Sequence, residues 1–197
     1  IVPATAVVSY YVRHPNMETL DGIWERVLKA ADGAALGTGT SVEHEVISAY
    51  YPILGNATLT RVQAANMQRV GGVHYDEKER AFAETLRKTL ANPSIELGSE
   101  ATIAEPDPDA GVGSTDVGDV SWAVPTTQFF AATWVPGTPP HSWQAVAAGG
   151  TTIAEKGMLV ATKTLALTLV DLFSDPKLVA VARREFDARR GGRVWVS

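Results

Sequence analysis

Residues 157–173 read GMLVATKTLALTLVDLF, the most apolar run in the chain, and any fold this sequence adopts has to accommodate it. Lys163 and Asp171 interrupt the run, as do Thr162, Thr164 and Thr168. A membrane span needs about 20 predominantly apolar residues with few or no charges, so the segment reads as a core helix over about 152–173. Asp175 followed by Pro176 then starts a final helix.

Upstream, the periodicity changes. Residues 4–13, ATAVVSYYVR, are β-branched and aromatic and alternate, which predicts a strand. Asn16 can cap a helix whose apolar positions Leu20, Ile23, Trp24, Val27, Leu28 and Ala31 lie on one face, with Gly33 ending it. After the turn GTGT, the alternation in SVEHEVISAYY, residues 41–51, predicts a second strand. Asn56 can cap a helix over 57–70, closed by Gly71 and Gly72. The β-α-β-α order fits a small α+β module, and Gly71 and Gly72 mark the expected boundary between residues 1–72 and 73–197.

Beyond it, Asp76 and Glu79 are spaced as a capping box for a helix carrying Phe82, Leu86 and Leu90, which ends before Asn92 and Pro93. Residues 104–119, rich in Asp, Pro and Gly, read as an exposed loop, and 124–134 as a strand. At 197 residues the chain can hold one good core or two small ones.

Composition narrows the chemistry. Net charge is −5 with the bases scattered among acids, which gives no basis for nucleic-acid binding. There is no cysteine, so any metal here is held by nitrogen and oxygen donors. No signal peptide is visible, and a cytoplasmic location without membrane attachment is expected. The chain opens on Ile1 with no methionine and runs straight into strand-like sequence, which suggests an internal start.

Three constellations could carry chemistry. GVGSTDVGD, residues 111–119, is superficially like a phosphate loop, but its spacing is not GxGxxG and two aspartates would repel a phosphate. In that stretch Asp116 and Asp119 are three apart; they could share one side of a helical turn as a site, or Ser114, Thr115 or Asp116 could simply cap it. VPGTPPHSWQ, residues 135–144, holds His141 behind prolines and a glycine that restrict the backbone, at a strand-to-loop junction where α/β enzymes place ligands and bases. A lone loop histidine is usually a surface or hydrogen-bonded residue, and no HExxH or HxH accompanies it. Arg13 with His14 ends the first strand, either as a solvated terminus or as a guanidinium fork for a carboxylate. His44 reads as a half-exposed sheet residue, and His74 has no evident partner.

Taken together, GSTDVGDVSW at 113–122, ATWVPGTPPHSWQ at 132–144 and AAGGTTIAEKGMLVATKTLA at 147–166 resemble, in order and spacing, the C-terminal catalytic part of the aminoacylase and carboxypeptidase family of metallohydrolases. The stretches IVPATAVVSYYVRHP, ERVLKAADGAALGTGT and YPILGNATLTRVQAANM resemble the second half of that family's inserted lid, or dimerisation, domain.

The resemblance implies an α/β fold: the C-terminal part of a metallohydrolase catalytic domain, preceded by the second half of an α+β lid domain. It implies that His141 is the last protein ligand of a centre of two divalent metal ions, zinc or manganese. Asp116 would take a supporting role there, and Arg13 would hold a substrate carboxylate. The implied reaction is hydrolysis of the amide of an N-acyl or N-aroyl amino acid by a homodimer paired through its lid. The family's other ligands and its general base precede the first residue here, so the chain is expected to be inactive without that missing N-terminal half. The alternative is a non-catalytic binding or dimerisation protein that kept the scaffold.

Overall fold

The structure is a computed structural model and describes residues 2–106 and 115–193. Seven α-helices and one turn of 3-10 helix account for the regular structure of these residues. They divide into two compact units, one of residues 2–53 and 115–123, the other of 54–106 and 124–193.

In the first unit, helix α1 spans Met17–Thr38. Asn16 starts it as expected, its side chain accepting the Thr19 amide at 2.9 Å. Gly33 does not end it. A glycine inside a helix costs only about 1 kcal/mol relative to alanine, so the helix runs on to Gly39. There φ reaches 67°, which suits glycine, and the Gly39 amide returns to the Ala35 and Leu36 carbonyls. Helix α1 buries none of its residues. Across the turn, His44 pairs with Asp32 at 3.0 Å.

The second unit carries the packed interior. Helices α2 (Ala57–Val70), α3 (Glu77–Arg87), α5 (Trp143–Gly149), α6 (Thr152–Ser174) and α7 (Pro176–Arg190) belong to it; α4 (Val117–Ala123) lies in the first unit. Helix α2, which the boundary at Gly71 and Gly72 would group with the chain's first 72 residues, packs on α6 and α7. Its cap is tied into that contact: Asn56 accepts the Leu59 amide at 3.0 Å and donates to the Ala182 carbonyl at 2.8 Å. From α7, Glu185 receives the Ala57 and Thr58 amides at 2.6 and 2.9 Å, placing a carboxylate where the α2 dipole favours negative charge. Burial alone would raise the Glu185 pKa; the Thr58 hydroxyl, these two amides and Arg189 outweigh it and hold it below the ordinary value.

Helix α3 has the capping box that the sequence predicts, with Asp76 and Glu79 exchanging bonds at 2.9 and 2.7 Å. It stops at Arg87, so Leu90 is buried from a turn beyond the helix. Ala83 and Leu86 of α3 meet Val135, Ala148 and Ile153 in a fully buried cluster.

Helix α6 forms over 152–174, close to its expected span. Its buried residues are Ile153, Gly157, Thr164 and Thr168, whereas Met158, Leu165, Leu169 and Phe173 are exposed. At 23 residues it is long and apolar enough to cross a membrane, although one face packs on α2. Gly157 is where it comes closest to a neighbour: a Cβ there would stand 2.4 Å from the Ala132 carbonyl oxygen. Backbone cannot yield as a side-chain tip does, so Gly157→Ala is expected to cost about 1–3 kcal/mol, read as a lower urea midpoint at unchanged slope.

The predicted strands at 4–13, 41–51 and 124–134 do not form. Among the described residues the sole β pairing is a single parallel bridge between Gly55 and Thr126. Alternation specifies two faces for a strand but supplies no neighbour, and a strand is completed only by ladder bonds to one. Without that neighbour, Val7, Val8, Tyr10, Tyr11, Val46 and Ile47 lie in solvent. The α/β expectation is not met among the described residues, whose regular structure is helical, and His44 does not sit in a sheet.

Candidate functional site

The segment carrying His141 is built from its ends inward. Val135, 1% exposed, anchors it in the cluster of Ala83, Leu86, Ala148 and Ile153. Gly137 follows at φ 86°, lying so close to Pro93 that a Cβ would stand 2.9 Å from the proline Cβ. The Thr138 amide closes a turn onto the Val135 carbonyl at 3.0 Å. At the far end Ser142 caps α5, accepting the Ala145 amide at 3.2 Å while its hydroxyl donates to the Pro139 carbonyl at 2.7 Å.

Between these anchors the chain must reverse, and it does so at His141, whose φ is 59°. No other non-glycine residue among those described has positive φ. That conformation costs an L-residue roughly 1–2 kcal/mol and persists only where the surroundings impose it. The residue is exposed, and its ring has no hydrogen-bond partner among the described residues. A neutral imidazole so presented can furnish one nitrogen donor to a metal ion. It cannot hold one alone: no three His, Cys, Asp or Glu side chains gather as a metal-holding group among the described residues.

Asp116 and Asp119 behave differently from each other. The Asp119 carboxylate accepts the Tyr51 amide at 2.9 Å, fastening the first turn of α4 to that segment. The same contact is completed by the Trp122 indole, which donates to the Pro52 carbonyl at 2.8 Å, and by the Tyr51 and Trp122 rings 5.2 Å apart. Asp119 is therefore engaged structurally. Asp116 is exposed, with a 3.5 Å contact from the Thr115 hydroxyl, and Thr115 itself caps the turn by accepting the Val117 amide at 3.2 Å. Capping thus falls to Thr115, while Ser114 and the rest of 107–114, including most of the glycine-rich stretch, lie outside the described residues. Arg13 is exposed, its guanidinium 5.3 Å from the Tyr11 ring centroid and paired with no carboxylate among the described residues. Arg13 and Asp116 lie in the first unit and His141 in the second.

Polar contacts that sequence reading missed tie α3 and its flank to α6 and to the segment leading to His141. Glu79, 5% exposed, receives the Lys156 ammonium at 2.5 Å and the Thr152 hydroxyl at 2.6 Å, joining the start of α3 to the start of α6. The capping-box spacing revealed half of its role, but nothing local pointed to Lys156, 77 residues away. Tyr75 donates to the Trp134 carbonyl at 3.4 Å; burial, then the charges of Glu100 and Glu79, push its phenol pKa up, so the proton stays on. Arg87 donates to the Pro136 carbonyl at 3.2 Å.

This arrangement, an exposed histidine on a stiffened loop over a helical core, belongs to a sequence that is similar over nearly its whole length to a class of hydrolases and dipeptidases. The chain is 35% identical, over 94% of its residues, to a constituent polypeptide of the p-aminobenzoyl-glutamate hydrolase of Escherichia coli (strain K12), of which it covers 44%. It is 28% identical over 96% of its length to the Xaa-Arg dipeptidase of Mus musculus, covering 38% of that protein, and 27% identical over 94% to that of Homo sapiens, covering 36%. The chain thus spans less than half the length of the curated relatives it matches. No family model matches it, and no solved structure does so significantly.

Proposed function

We propose that this chain is the C-terminal portion of a metal-dependent amidohydrolase that cleaves the amide bond of an N-acyl or N-aroyl amino acid, p-aminobenzoyl-glutamate being the first substrate to try. The observation that carries the reading is His141: it occupies a strained, exposed position with a free imidazole, in a stretch for which the similarity to the hydrolase and the dipeptidases extends on both sides. In this reading His141 gives one nitrogen donor, and the remaining donors and the general base come from the part of the protein preceding residue 1. Two divalent ions, zinc or manganese, would supply an activated water and polarise the scissile carbonyl. In this reading the chain by itself is inactive.

Asp116 keeps its carboxylate at the surface and takes a supporting place near the ions. Arg13, unpaired and braced on Tyr11, is suited to a substrate carboxylate, and its bidentate fork would recognise the amino-acid end. Residues 1–72 form the second half of a lid that pairs two copies of the protein, which works in the cytoplasm without binding nucleic acid or membrane.

The test is direct. The complete protein should hydrolyse p-aminobenzoyl-glutamate or a related N-acyl amino acid and lose that activity to a chelator, with recovery on adding zinc or manganese. Chelator-resistant hydrolysis would contradict the reading. Arg13→Ala should raise KM for acidic amino-acid substrates about tenfold and leave kcat within about twofold, as loss of uniform binding requires. Steady-state kinetics with a glutamate and an alanine amide compared side by side would show it, and an unchanged KM would remove Arg13 from the site.

A further inference from the structure

The loop that presents His141 contains Pro136, Pro139 and Pro140, which have no N–H, so its backbone has few donors of its own, the Thr138 amide that meets the Val135 carbonyl among them. Other carbonyls of the segment are held by side-chain donors. Trp134 takes the Tyr75 hydroxyl, Pro139 takes the Ser142 hydroxyl, and Pro136, in the middle, takes the Arg87 guanidinium. Arg87 alone of these also grips another segment: the same Nη1 donates to the Ile95 carbonyl, and Nη2 lies 3.5 Å from Glu96. The Arg87 side chain is 17% exposed and that of Glu96 is 88% exposed. The ion pair is therefore screened by water and worth little, and the carbonyl bonds carry the contact. Gly137 resting on Pro93 shows that the two segments so joined are in van der Waals contact.

We propose that Arg87 is the positioning residue of this site: from the end of α3 it clasps the 93–96 and 136–137 segments together and so holds His141 in the left-handed conformation that presents its ring. The proposal rests on the reading of His141 as a metal donor. A residue at φ 59° relaxes when its frame loosens. Val135 and Ser142 hold the ends of that frame, and Arg87 holds the span between them.

The experiment compares Arg87→Met, Arg87→Lys, Glu96→Gln and His141→Ala in the complete protein. It measures the zinc dissociation constant by chelator competition and the hydrogen exchange of the Thr138 amide. Groups that orient a ligand typically change affinity 10–100-fold. Arg87→Met should weaken zinc at least tenfold and speed Thr138 exchange, with partial recovery in added guanidinium ion. Arg87→Lys should fall between it and the unmodified protein, and Glu96→Gln should change neither quantity. Wild-type zinc affinity in Arg87→Met, or in Arg87→Lys if the methionine variant does not fold, overturns the proposal when His141→Ala has lost zinc. If His141→Ala binds zinc normally, the donor reading falls instead; unchanged Thr138 exchange in the Arg87 variants would then also refute the clasp.

Discussion

His141→Ala in the complete protein is expected to lower kcat/KM by about 1,000-fold or more, a loss of roughly 4 kcal/mol in transition-state stabilisation, and to lower bound metal in parallel. Its stability without metal should move by no more than about 0.5 kcal/mol, because the side chain is exposed and touches no partner among the described residues. The contrast between a large catalytic loss and an intact fold is what separates a ligand from a structural histidine. Steady-state kinetics, metal analysis by mass spectrometry and urea unfolding of the same preparation give the three numbers. Normal metal content with normal turnover would show that this imidazole is an ordinary surface group.

The second large effect concerns Glu79 and falls on folding instead of chemistry. Replacing it by alanine removes the capping box of α3, the Thr152 bond and the Lys156 pair at once. Breaking a buried pair costs about 3–5 kcal/mol; Lys156 keeps 38% of its side chain in solvent, so the lower end, about 3 kcal/mol, is expected.

The carboxylate also makes stability depend on pH. Burial by itself would raise its pKa, but the Lys156 ammonium, the Thr152 hydroxyl and the Asp76 amide outweigh burial and hold it below the ordinary 4.5. A folded pKa below the unfolded one means the ionised group stabilises the protein above about pH 4.5, and this contribution fades as pH falls through the folded value. Urea midpoints from pH 7 down to pH 3 should therefore drop in the parent more steeply than in Glu79→Gln. Equal slopes would show that Glu79 does not contribute to the acid limit.

Local signals in the sequence proved sound where one residue and its immediate neighbours decide the outcome. Asn16, Asn56 and the pair of Asp76 and Glu79 start helices where a side-chain oxygen can reach an amide two or three residues on. Gly71 and the combination of Asp175 with Pro176 bound α2 and α7 for equally local reasons. Gly33 misled because glycine permits a helix end without requiring one.

The strands failed for a different reason. Alternation in ATAVVSYYVR or SVEHEVISAYY describes what a sheet would do with those side chains, and no ladder partner is present among the described residues. The carboxylates at 116 and 119 were legible as a pair but not as one engaged across the fold and one left at the surface, since the Tyr51 amide that occupies Asp119 is 68 residues away. Arg87 and Lys156 gave no signal, because each acts through a contact that only folding creates. The prolines around His141 marked a restricted loop; its left-handed backbone and its unpartnered ring were not legible.

An anomalous-diffraction map of the complete protein, collected at the zinc or manganese edge, would decide whether His141 is a metal donor. The expected result is a peak about 2.1 Å from one nitrogen of His141, the usual distance for an imidazole bound to zinc, with the other donors supplied from the region before residue 1. A peak held entirely by other side chains, with the His141 ring pointing into bulk water, would contradict it.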